Sequence, residues 1–542
     1  MRPVRAIGVL SVSLALLAPV ACSSSAPPPP PVGVVADSGF RPRPNGFSFE
    51  NYGNVLSSGA APTNLTPADV QALFGTAVCA DAASRKCDLI PEARAWMEEM
   101  NQLMAGGHCF GFSVAADIVW ADAVSTTTYG ASTINRLTID NNASLQNTIA
   151  RGWVFQLLDS VQAKKITGTP NQILDDLKKV LTPHPSETYT VTIWKRDGTG
   201  GHAVTPYEVD YKGDNKYNVL IYDNNWPGAT RAIAFDTKAD TWSYDAAVNP
   251  NAPSELYEGD AKTKTVELLP TSPGQGSQPC PFCGQVPSQG ASAGTTGAAR
   301  TAMIYLTGGL DNHAHVLVTD HAGHRLGYVN GRVVNEIPGA HDVLLTSDQD
   351  WNNKLEPILY VPANGAYTIT LDGTPLTAPD TESIGIIGPS SDIAVDDIPM
   401  HPGDKDTLTV DPNATKLTYH TTRAQSPTIQ AAVSDTQAQY AFVIGGVSSQ
   451  PGSTINLSIP AEGGSLIITN VGSGGTSSVN FQMTRFTEQG VQQFRHDAIP
   501  LTGGDTADLQ FGGWTNPNQG IPLVTTHNEH QSTESLSDQA IG

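Results

Sequence analysis

The stretch Gly106-Gly107-His108-Cys109-Phe110-Gly111-Phe112-Ser113 is a glycine turn that delivers a cysteine to the start of a helical pattern. Glycine adopts backbone angles that other residues avoid, so the pair can turn the chain sharply. Apolar residues then recur at helical spacing as far as Val119. The pattern predicts an amphipathic helix whose first turn carries Cys109, where the helix dipole favours thiolate over thiol. The ordinary alternative for a lone cysteine is a buried small hydrophobe.

The other cysteines bear on whether Cys109 carries a free thiol. Cys79 and Cys87 bracket a short loop, which predicts a disulfide in an oxidising compartment. Cys280 and Cys283 form a C-x-x-C in a Pro/Gly/Ser/Gln-rich stretch, which predicts a second, small disulfide. A redox pair or half of a zinc site are the alternatives for that motif. The pairing leaves Cys109 as a candidate reactive thiol.

The N-terminus predicts export. A basic start at Arg2 and Arg5 precedes a short apolar run, and small residues then lead to Cys22. The run is too short to span a bilayer, so residues 1–21 are predicted to be a signal peptide. A cysteine followed by serines and prolines resembles a bacterial lipoprotein signal, which implies that Cys22 is lipidated and anchors the chain at the outer face of a bacterial membrane. Plain secretion is the alternative.

Composition limits the partners. Asp and Glu number 52 against 30 Lys and Arg, for a formal net charge of −22. This balance argues against a nucleic-acid partner and against attraction to an anionic membrane surface, so membrane contact is expected only through the N-terminal lipid. At 542 residues the chain is too long for one hydrophobic core, and several domains are expected.

Periodicity divides the chain into segments. Helical patterns before residue 186 give way to alternating strand patterns, which predicts an α+β domain made of a helical half and an antiparallel sheet half. Beyond residue 298 short alternating runs recur between turn signals, as in β-sandwich modules. The predicted segments are a signal peptide (1–21), a lipid-anchored Pro/Ser tether and wrapping segment (22–60), a catalytic domain (61–270), a linker (271–298), a β-sandwich module (299–380), a second β-rich module (381–525) and a flexible tail (526–542).

Two segments of the predicted sheet could serve the thiol. His202 follows a glycine pair at the start of one strand, and Asp223-Asn224 follows the end of the next. Antiparallel neighbours joined by a short turn would place these segments side by side. A thiol nucleophile needs a base to take its proton, and the base needs a third group to orient it.

These three segments together resemble papain-like cysteine peptidases over roughly residues 60–270. Cys109-Phe-Gly-Phe-Ser113 is similar to the Cys-Trp-Ala-Phe-Ser around that family's nucleophile, and Gly201-His202-Ala203-Val204 looks like its Asn/Asp-His-Ala-Val. The segment from Ile221 to Gly228 looks like its Ile-Lys-Asn-Ser-Trp-Gly. The resemblance implies a papain-like fold for the catalytic domain, and the order Cys, His, Asn/Asp is also the family's.

The resemblance assigns roles. Cys109 would be the nucleophile and His202 the general base. Either Asp223 or Asn224 would orient the imidazole, with Asp223 favoured because a carboxylate at a strand end suits that task. A glutamine before the family's cysteine completes the oxyanion hole; Gln102 is the nearest candidate here and lies one residue too far away, with Asn101 and backbone donors as the alternatives.

No metal and no cofactor are predicted. His313-Ala-His315, with Asp320, His321 and His324, has a spacing that could hold a metal, but polar residues on the solvent face of a strand and hairpin explain it as well. The sequence therefore predicts an exported papain-like cysteine hydrolase that cleaves amide or peptide bonds in a peptide or protein substrate through a thioester. The alternatives are an inactive cell-surface binding protein and a transglutaminase-like acyl transferase.

Overall fold

The computed structural model describes residues 31–80, 87–196, 198, 200–246, 256–283, 301–309, 312–346, 356–389, 391–411, 415–434, 438–460, 463–472, 474–487 and 490–539. The predicted signal peptide, the lipidation site Cys22 and the start of the tether lie outside the described residues, as do positions 284–298 of the predicted linker and the last three residues of the predicted tail.

The α-helices among the described residues all lie in the first third of the chain. They are α1 (Pro42–Asn45), α2 (Pro67–Phe74), α3 (Pro91–Leu103), α4 (Cys109–Trp120), α5 (Ala143–Trp153), α6 (Asp159–Gln162) and α7 (Pro170–Val180). Proline opens α2 and α7 at their first position, and in each a capping box ties the preceding threonine to the third helical residue. The helix predicted over 144–163 is broken, because a 3-10 turn at Val154–Leu157 separates α5 from α6.

The first sheet has nine strands. They are β1 (Gly33–Asp37), β2 (Ile166–Thr167), β3 (Tyr189–Ile193), β4 (His202–Gly213), β5 (Lys216–Tyr222), β6 (Arg231–Asp236), β7 (Thr241–Asp245), β8 (Leu256–Asp260) and β9 (Val266–Pro270). Their order is β2-β9-β3-β4-β5-β6-β7-β8, and β1 pairs with β4. The pairs are antiparallel.

Strand β4 changes partners along its length, and this change positions the candidate site. Its first residues pair with β3, with His202 opposite Ile193. From Thr205 onward it pairs with β5, where Thr205 lies opposite Tyr222. The residues that follow Tyr222 therefore run alongside the start of β4, next to His202.

Two further antiparallel sheets contain the remaining strands. Those strands are β10 (Thr301–Thr307), β11 (His315–Asp320), β12 (Arg325–Val329), β13 (Arg332–Asn335), β14 (His341–Val343), β15 (Ile358–Pro362), β16 (Tyr367–Asp372), β17 (Asp380–Gly388), β18 (Ser391–Met400), β19 (Lys405–Val410), β20 (Lys416–His420), β21 (Thr428–Ser434), β22 (Gln439–Gly445), β23 (Thr454–Ser458), β24 (Leu466–Val471), β25 (Thr476–Thr487), β26 (Gly490–Thr502), β27 (Thr506–Leu509), β28 (Ile521–His527) and β29 (His530–Leu536). The second sheet has the order β14-β15-β10-β17-β18-β21-β22-β25-β26, and the third has the order β13-β12-β11-β16-β19-β20-β23-β24-β27-β28-β29.

The predicted fold class is wrong for the first part of the chain. We expected a papain-like α+β domain with a helical half beside a sheet half, but the protein is mostly β, with 42% strand and 19% helix in three large antiparallel sheets. The helices do not form a half of their own. Helix α3 shares a hydrophobic core with the second sheet, in which Trp96 and Met100 belong to the same cluster as Met303 and Tyr360. Sequence periodicity marks the apolar face of a helix but does not say what covers it.

The β-sandwich expected for the C-terminal part agrees with the structure. One continuous core of alternating inward residues lies between the second and third sheets. Strands from both sides of residue 380 pair with each other, β10 with β17 and β16 with β19. The predicted tail contains the end of β28 and all of β29, which pair as a hairpin at the edge of the third sheet.

Within the described ranges, no single helix is long and apolar enough to cross a membrane. One pair of helical segments, Pro91–Gly106 and Cys109–Trp120, meets the length and composition test only when both are counted across a bend of 99°.

Candidate functional site

The cysteine pairing leaves one thiol at the centre of the first domain. Both predicted disulfides, Cys79–Cys87 and Cys280–Cys283, are confirmed. Among the described residues Cys109 is the free cysteine, and its side chain is buried.

The glycine turn and the helix place Cys109 as the sequence pattern predicts. Gly107 has φ of 142°, a left-handed conformation that favours glycine, and Cys109 is the first residue of α4. The helix packs so closely on α5 that a Cβ atom at Gly111 would come 2.1 Å from the carbonyl oxygen of Ile149. The first N–H groups of a helix have no partner inside it, so the nucleophile candidate lies at an electropositive helix end.

His202 lies between Cys109 and Asp223. The imidazole lies within interaction distance of the Cys109 side chain, which helps to raise the pKa of His202. On its other side, Nε2 lies 2.9 Å from Oδ1 of Asp223. Because Asp223 engages Nε2, Nδ1 is the nitrogen that can exchange a proton with the thiol. All three side chains are completely buried, with exposed fractions of 0%.

The carboxylate of Asp223 is held in its charged form. Burial alone would raise its pKa, but the charge and hydrogen bond of His202 outweigh burial and lower the pKa. The hydroxyl of Tyr244 donates to Oδ2, and the backbone N–H of Asn225 donates to Oδ1 at 2.9 Å. For His202, burial alone would lower the pKa; the charge of Asp223, with hydrogen bonds to Asp223 and Cys109, instead raises it. The site therefore favours an imidazolium beside a carboxylate.

Asn224 does not face the imidazole. Its side-chain amide donates to the carbonyl oxygen of Cys109 at 3.1 Å and to that of Ala203 at 2.9 Å. It therefore ties the first turn of α4 to the start of β4, and the structure places Asp223, not Asn224, against His202. Asn224 is a positioning residue.

We predict that Asn224→Asp destabilises the fold. A carboxylate has no proton to donate, so the variant would bury a negative charge against two carbonyl oxygens that have lost their donor. We expect a loss of about 3 kcal/mol or more in the free energy of unfolding, measured by urea denaturation. Asn101→Asp is the control, because Asn101 also binds backbone, accepting from Leu65 N–H and donating to its C=O, but lies on α3 and is only half-buried. Equal losses in both variants would contradict a special role for Asn224.

Neither side chain proposed for the oxyanion hole reaches the site. Gln102 is exposed on α3. Asn101 is occupied with the backbone of Leu65. Backbone donors are the remaining alternative for the oxyanion hole. The N–H of Cys109 itself, at the first position of α4, is such a donor.

Two supporting residues had no motif to reveal them. Tyr244 is buried on β7 and reaches Asp223 because β6 joins β7 to β5, the strand that Asp223 follows. Asn51 accepts from the backbone N–H of His108 at 2.8 Å, and its own N–H donates to the carbonyl of Asn224 at 3.0 Å. It therefore links the cysteine turn to the Asp223 segment. An aromatic residue with a polar tip at an inward strand position was the available signal for Tyr244.

His108 supports the turn rather than the chemistry. Its ring is buried between two neighbours, with Nδ1 2.7 Å from the carbonyl oxygen of Tyr52 and Nε2 2.9 Å from Oδ1 of Asn64. Burial lowers its pKa to about 4, so its imidazole is neutral at ordinary pH.

A segment of the β-sandwich covers the site. A side chain at Gly201, next to His202, would come 2.2 Å from the carbonyl oxygen of Leu345. The following residue, Thr346, is clamped by Gln156: its N–H and hydroxyl donate to Oε1 at 2.8 Å and 3.0 Å, and its carbonyl accepts from Nε2 at 3.4 Å. We call residues 343–346 the covering segment. It also forms part of the wall of a cleft of about 880 Å³ that continues past Trp194.

The histidines singled out in the sequence do not converge as one group. His324 pairs with Asp320 at the tip of the β11–β12 hairpin, with Nδ1 2.8 Å from Oδ2. His313 and His315 lie instead beside Glu356. His321 is exposed.

The thiol, the imidazole and the carboxylate thus form one buried chain of contacts, built by α4, the start of β4 and the end of β5. Comparisons with models of protein families, with curated proteins and with solved structures found no match to this chain.

Proposed function

We propose that this protein is a cysteine hydrolase that cleaves amide or peptide bonds through Cys109, His202 and Asp223. The observation that carries the proposal is the buried chain of contacts from thiol to imidazole to carboxylate at a helix N-terminus. A structural cysteine does not need an imidazole beside it, and a structural histidine does not need a buried carboxylate held by two further donors.

The reaction would proceed in two steps. His202 takes the proton of the Cys109 thiol, and the sulfur attacks the substrate carbonyl carbon. The C–N bond then breaks, the amine leaves with the proton from His202, and a thioester remains. In the second step His202 takes a proton from water, whose oxygen attacks the thioester carbon. The C–S bond breaks, the acid leaves, and the proton returns to sulfur.

We infer that the protein works outside the cytoplasm on a peptide or protein substrate. The proposal draws on the N-terminal sequence, on the likeness of the three motifs to those of papain-like cysteine peptidases, and on the two disulfides, which suit an oxidising compartment. Anchoring through a lipid on Cys22 is part of the same proposal.

A covalent probe tests the proposal directly. The full chain is treated with an epoxysuccinyl cysteine-protease probe, digested and analysed by mass spectrometry, and fluorescein-labelled casein serves as a general substrate. Modification of Cys109 with release of fluorescent peptides is the expected result. Incorporation of dansylcadaverine into casein in place of hydrolysis would indicate acyl transfer. If labelling, hydrolysis and amine incorporation are all absent, both in the wild type and in Gln156→Ala, the result would favour a binding protein.

The covering segment should slow access to the thiol. We predict that Gln156→Ala raises the rate of Cys109 alkylation by iodoacetamide about tenfold, because the variant loses the side-chain bonds that hold Thr346 down. The rate is measured by intact-protein mass spectrometry over time.

Gln146→Ala is the matched control. Gln146 is also buried and also bonds two backbone groups, the N–H of Thr63 and the carbonyl of Ile139. Its removal should lower the stability of the fold by a similar amount without loosening the covering segment. Equal acceleration in the two variants would show that general loosening, and not the covering segment, limits access to Cys109.

A further inference from the structure

A second cluster of chemically active side chains lies in the β-sandwich, outside the proposed triad. His315 is the first residue of β11, and His313 lies two residues before it in the segment that leads into the strand. Glu356 approaches them from the chain just before β15, in the other sheet. Candidate ligand atoms of the three residues all lie within 4.8 Å of one another.

The three side chains lie in direct contact, so an ion bound among them would replace the hydrogen bond between His315 and Glu356. Nδ1 of His315 lies 2.5 Å from Oε1 of Glu356, and Nδ1 of His313 lies 3.6 Å from the same oxygen. Backbone groups hold the ligands from behind. The second oxygen of Glu356 accepts from Val316 N–H at 3.2 Å, and Nδ1 of His313 lies 2.8 Å from the carbonyl oxygen of Ala314. Such outer contacts orient metal ligands.

A second carboxylate is buried beside the cluster and adds negative charge that a metal ion would offset. Glu382 is completely buried, and its Oε1 accepts from Ala314 N–H at 2.7 Å. Its Oε2 has no hydrogen-bond partner among the described residues. A side chain at Gly308 would come 2.1 Å from Oε2 and 3.0 Å from Cβ of His313, so the carboxylate lies next to that histidine. Glu356 and Glu382 accept from backbone N–H groups two residues apart, and two carboxylates buried in one cluster are costly unless a positive charge lies near them.

We propose that His313, His315 and Glu356, supported by Glu382, form a binding site for a divalent transition metal ion, with Zn²⁺ the best-matched ion. Two imidazoles and one carboxylate are an N/O ligand set that zinc accepts, whereas calcium and magnesium prefer oxygen alone. The ion would offset the charge of the carboxylates and join the two sheets of the sandwich, because its ligands come from β11 with the segment that leads into it and from the segment before β15. The alternative is an ion pair between His315 and Glu356 without metal.

Metal titration of the full chain distinguishes these two. The protein is dialysed against EDTA, the chelator is removed, and ZnCl₂ is added in a calorimeter and in a thermal-unfolding assay. We expect one Zn²⁺ per chain and a rise in the unfolding temperature, because an ion that binds only the folded state stabilises it. Co²⁺ in the same site should give the visible absorption of a low-coordinate nitrogen and oxygen site.

Variants assign the ligands. His313→Gln, His315→Gln and Glu356→Gln should each weaken Zn²⁺ binding by about 100-fold or more, a loss expected for a direct ligand since even outer-shell changes cost about 10–100-fold. His324→Gln is the control, because His324 pairs with Asp320 at the exposed end of the same hairpin. Failure of the wild-type chain to bind Zn²⁺ or Co²⁺, or full binding by the folded His313→Gln and His315→Gln variants, would overturn the proposal.

Discussion

Cys109→Ser is expected to abolish casein hydrolysis and probe labelling while the fold is retained. A hydroxyl replaces a thiol of similar shape, but it is a far weaker nucleophile in a site built around an imidazolium beside a carboxylate. The loss should reach about 10⁴-fold or more in turnover, as is typical when a triad member is removed. Among the described residues the other cysteines are in disulfides, so this variant offers the probe no free thiol there. Circular dichroism and the urea unfolding midpoint should stay close to those of the wild type.

The double variant Cys79→Ser, Cys87→Ser is the control. It removes a disulfide that closes a loop between α2 and α3 but keeps the candidate nucleophile. This variant should be less stable and should still label at Cys109. Hydrolysis that persists in Cys109→Ser, at any rate comparable with the wild type, would contradict the proposed mechanism.

Asp223→Asn is expected to lower turnover by about 10² to 10⁴-fold with little change in structure. The amide keeps the shape of the carboxylate but not its charge, so it no longer stabilises the imidazolium of His202 or selects its tautomer. Tyr244→Phe should have a smaller effect, a loss of about tenfold, since it removes one hydroxyl bond to Asp223 and leaves the charge. Turnover in Asp223→Asn equal to the wild type would show that His202 works without the carboxylate.

The same pair has a pH signature in stability. The pKa of His202 is higher in the folded protein than in the unfolded chain. Its contribution to the free energy of unfolding is therefore complete below the unfolded pKa of about 6.5 and is lost as pH rises through the folded pKa. The pKa of Asp223 is lowered, so its contribution is present above about 3.9 and is lost in acid. The stabilisation should therefore be greatest between about pH 4 and pH 6.5.

Urea unfolding at several pH values measures this signature. The difference in unfolding free energy between wild type and Asp223→Asn should be largest near pH 6 and should shrink above pH 6.5, by at most about 1.4 kcal/mol per pH unit for one proton. Asp210→Asn is the control, because that carboxylate lies on β4 in a surface pair with Lys212. A difference that does not change between pH 6 and pH 10 would mean that the buried pair is not charged.

Local sequence signals predicted the elements around the candidate site with good accuracy. The glycine turn, the helix that starts at Cys109 and the strand that starts at His202 all lie where spacing and turn residues put them. These features depend on neighbours in the chain, namely backbone freedom at Gly107 and alternation along β4. The two disulfides were likewise predicted from the spacing of the cysteines along the chain.

Tertiary contacts decided what local signals left open. The sequence favoured Asp223 but left Asn224 open as the residue that orients His202, since either can end a strand. In the segment after β5, the carboxylate of Asp223 meets His202, whereas the amide of Asn224 donates to the carbonyls of Cys109 and Ala203. The prediction of a separate helical half was wrong for a related reason. The apolar face of α3 packs against strands that are distant in the sequence. On the same helix, Glu99 accepts a hydrogen bond from Thr307, 208 residues further along the chain.

The sequence alone thus determined a thiol at a helix start, a histidine at a strand start and the disulfides Cys79–Cys87 and Cys280–Cys283, because each follows from residues close together in the chain. Only the tertiary structure decided that Asp223 and not Asn224 meets the imidazole, that Leu345 and Thr346 cover the site, and that His313 and His315 meet Glu356. Those contacts join residues from different sheets, and a side chain's distant neighbour depends on how whole sheets pack rather than on the spacing of residues along one strand.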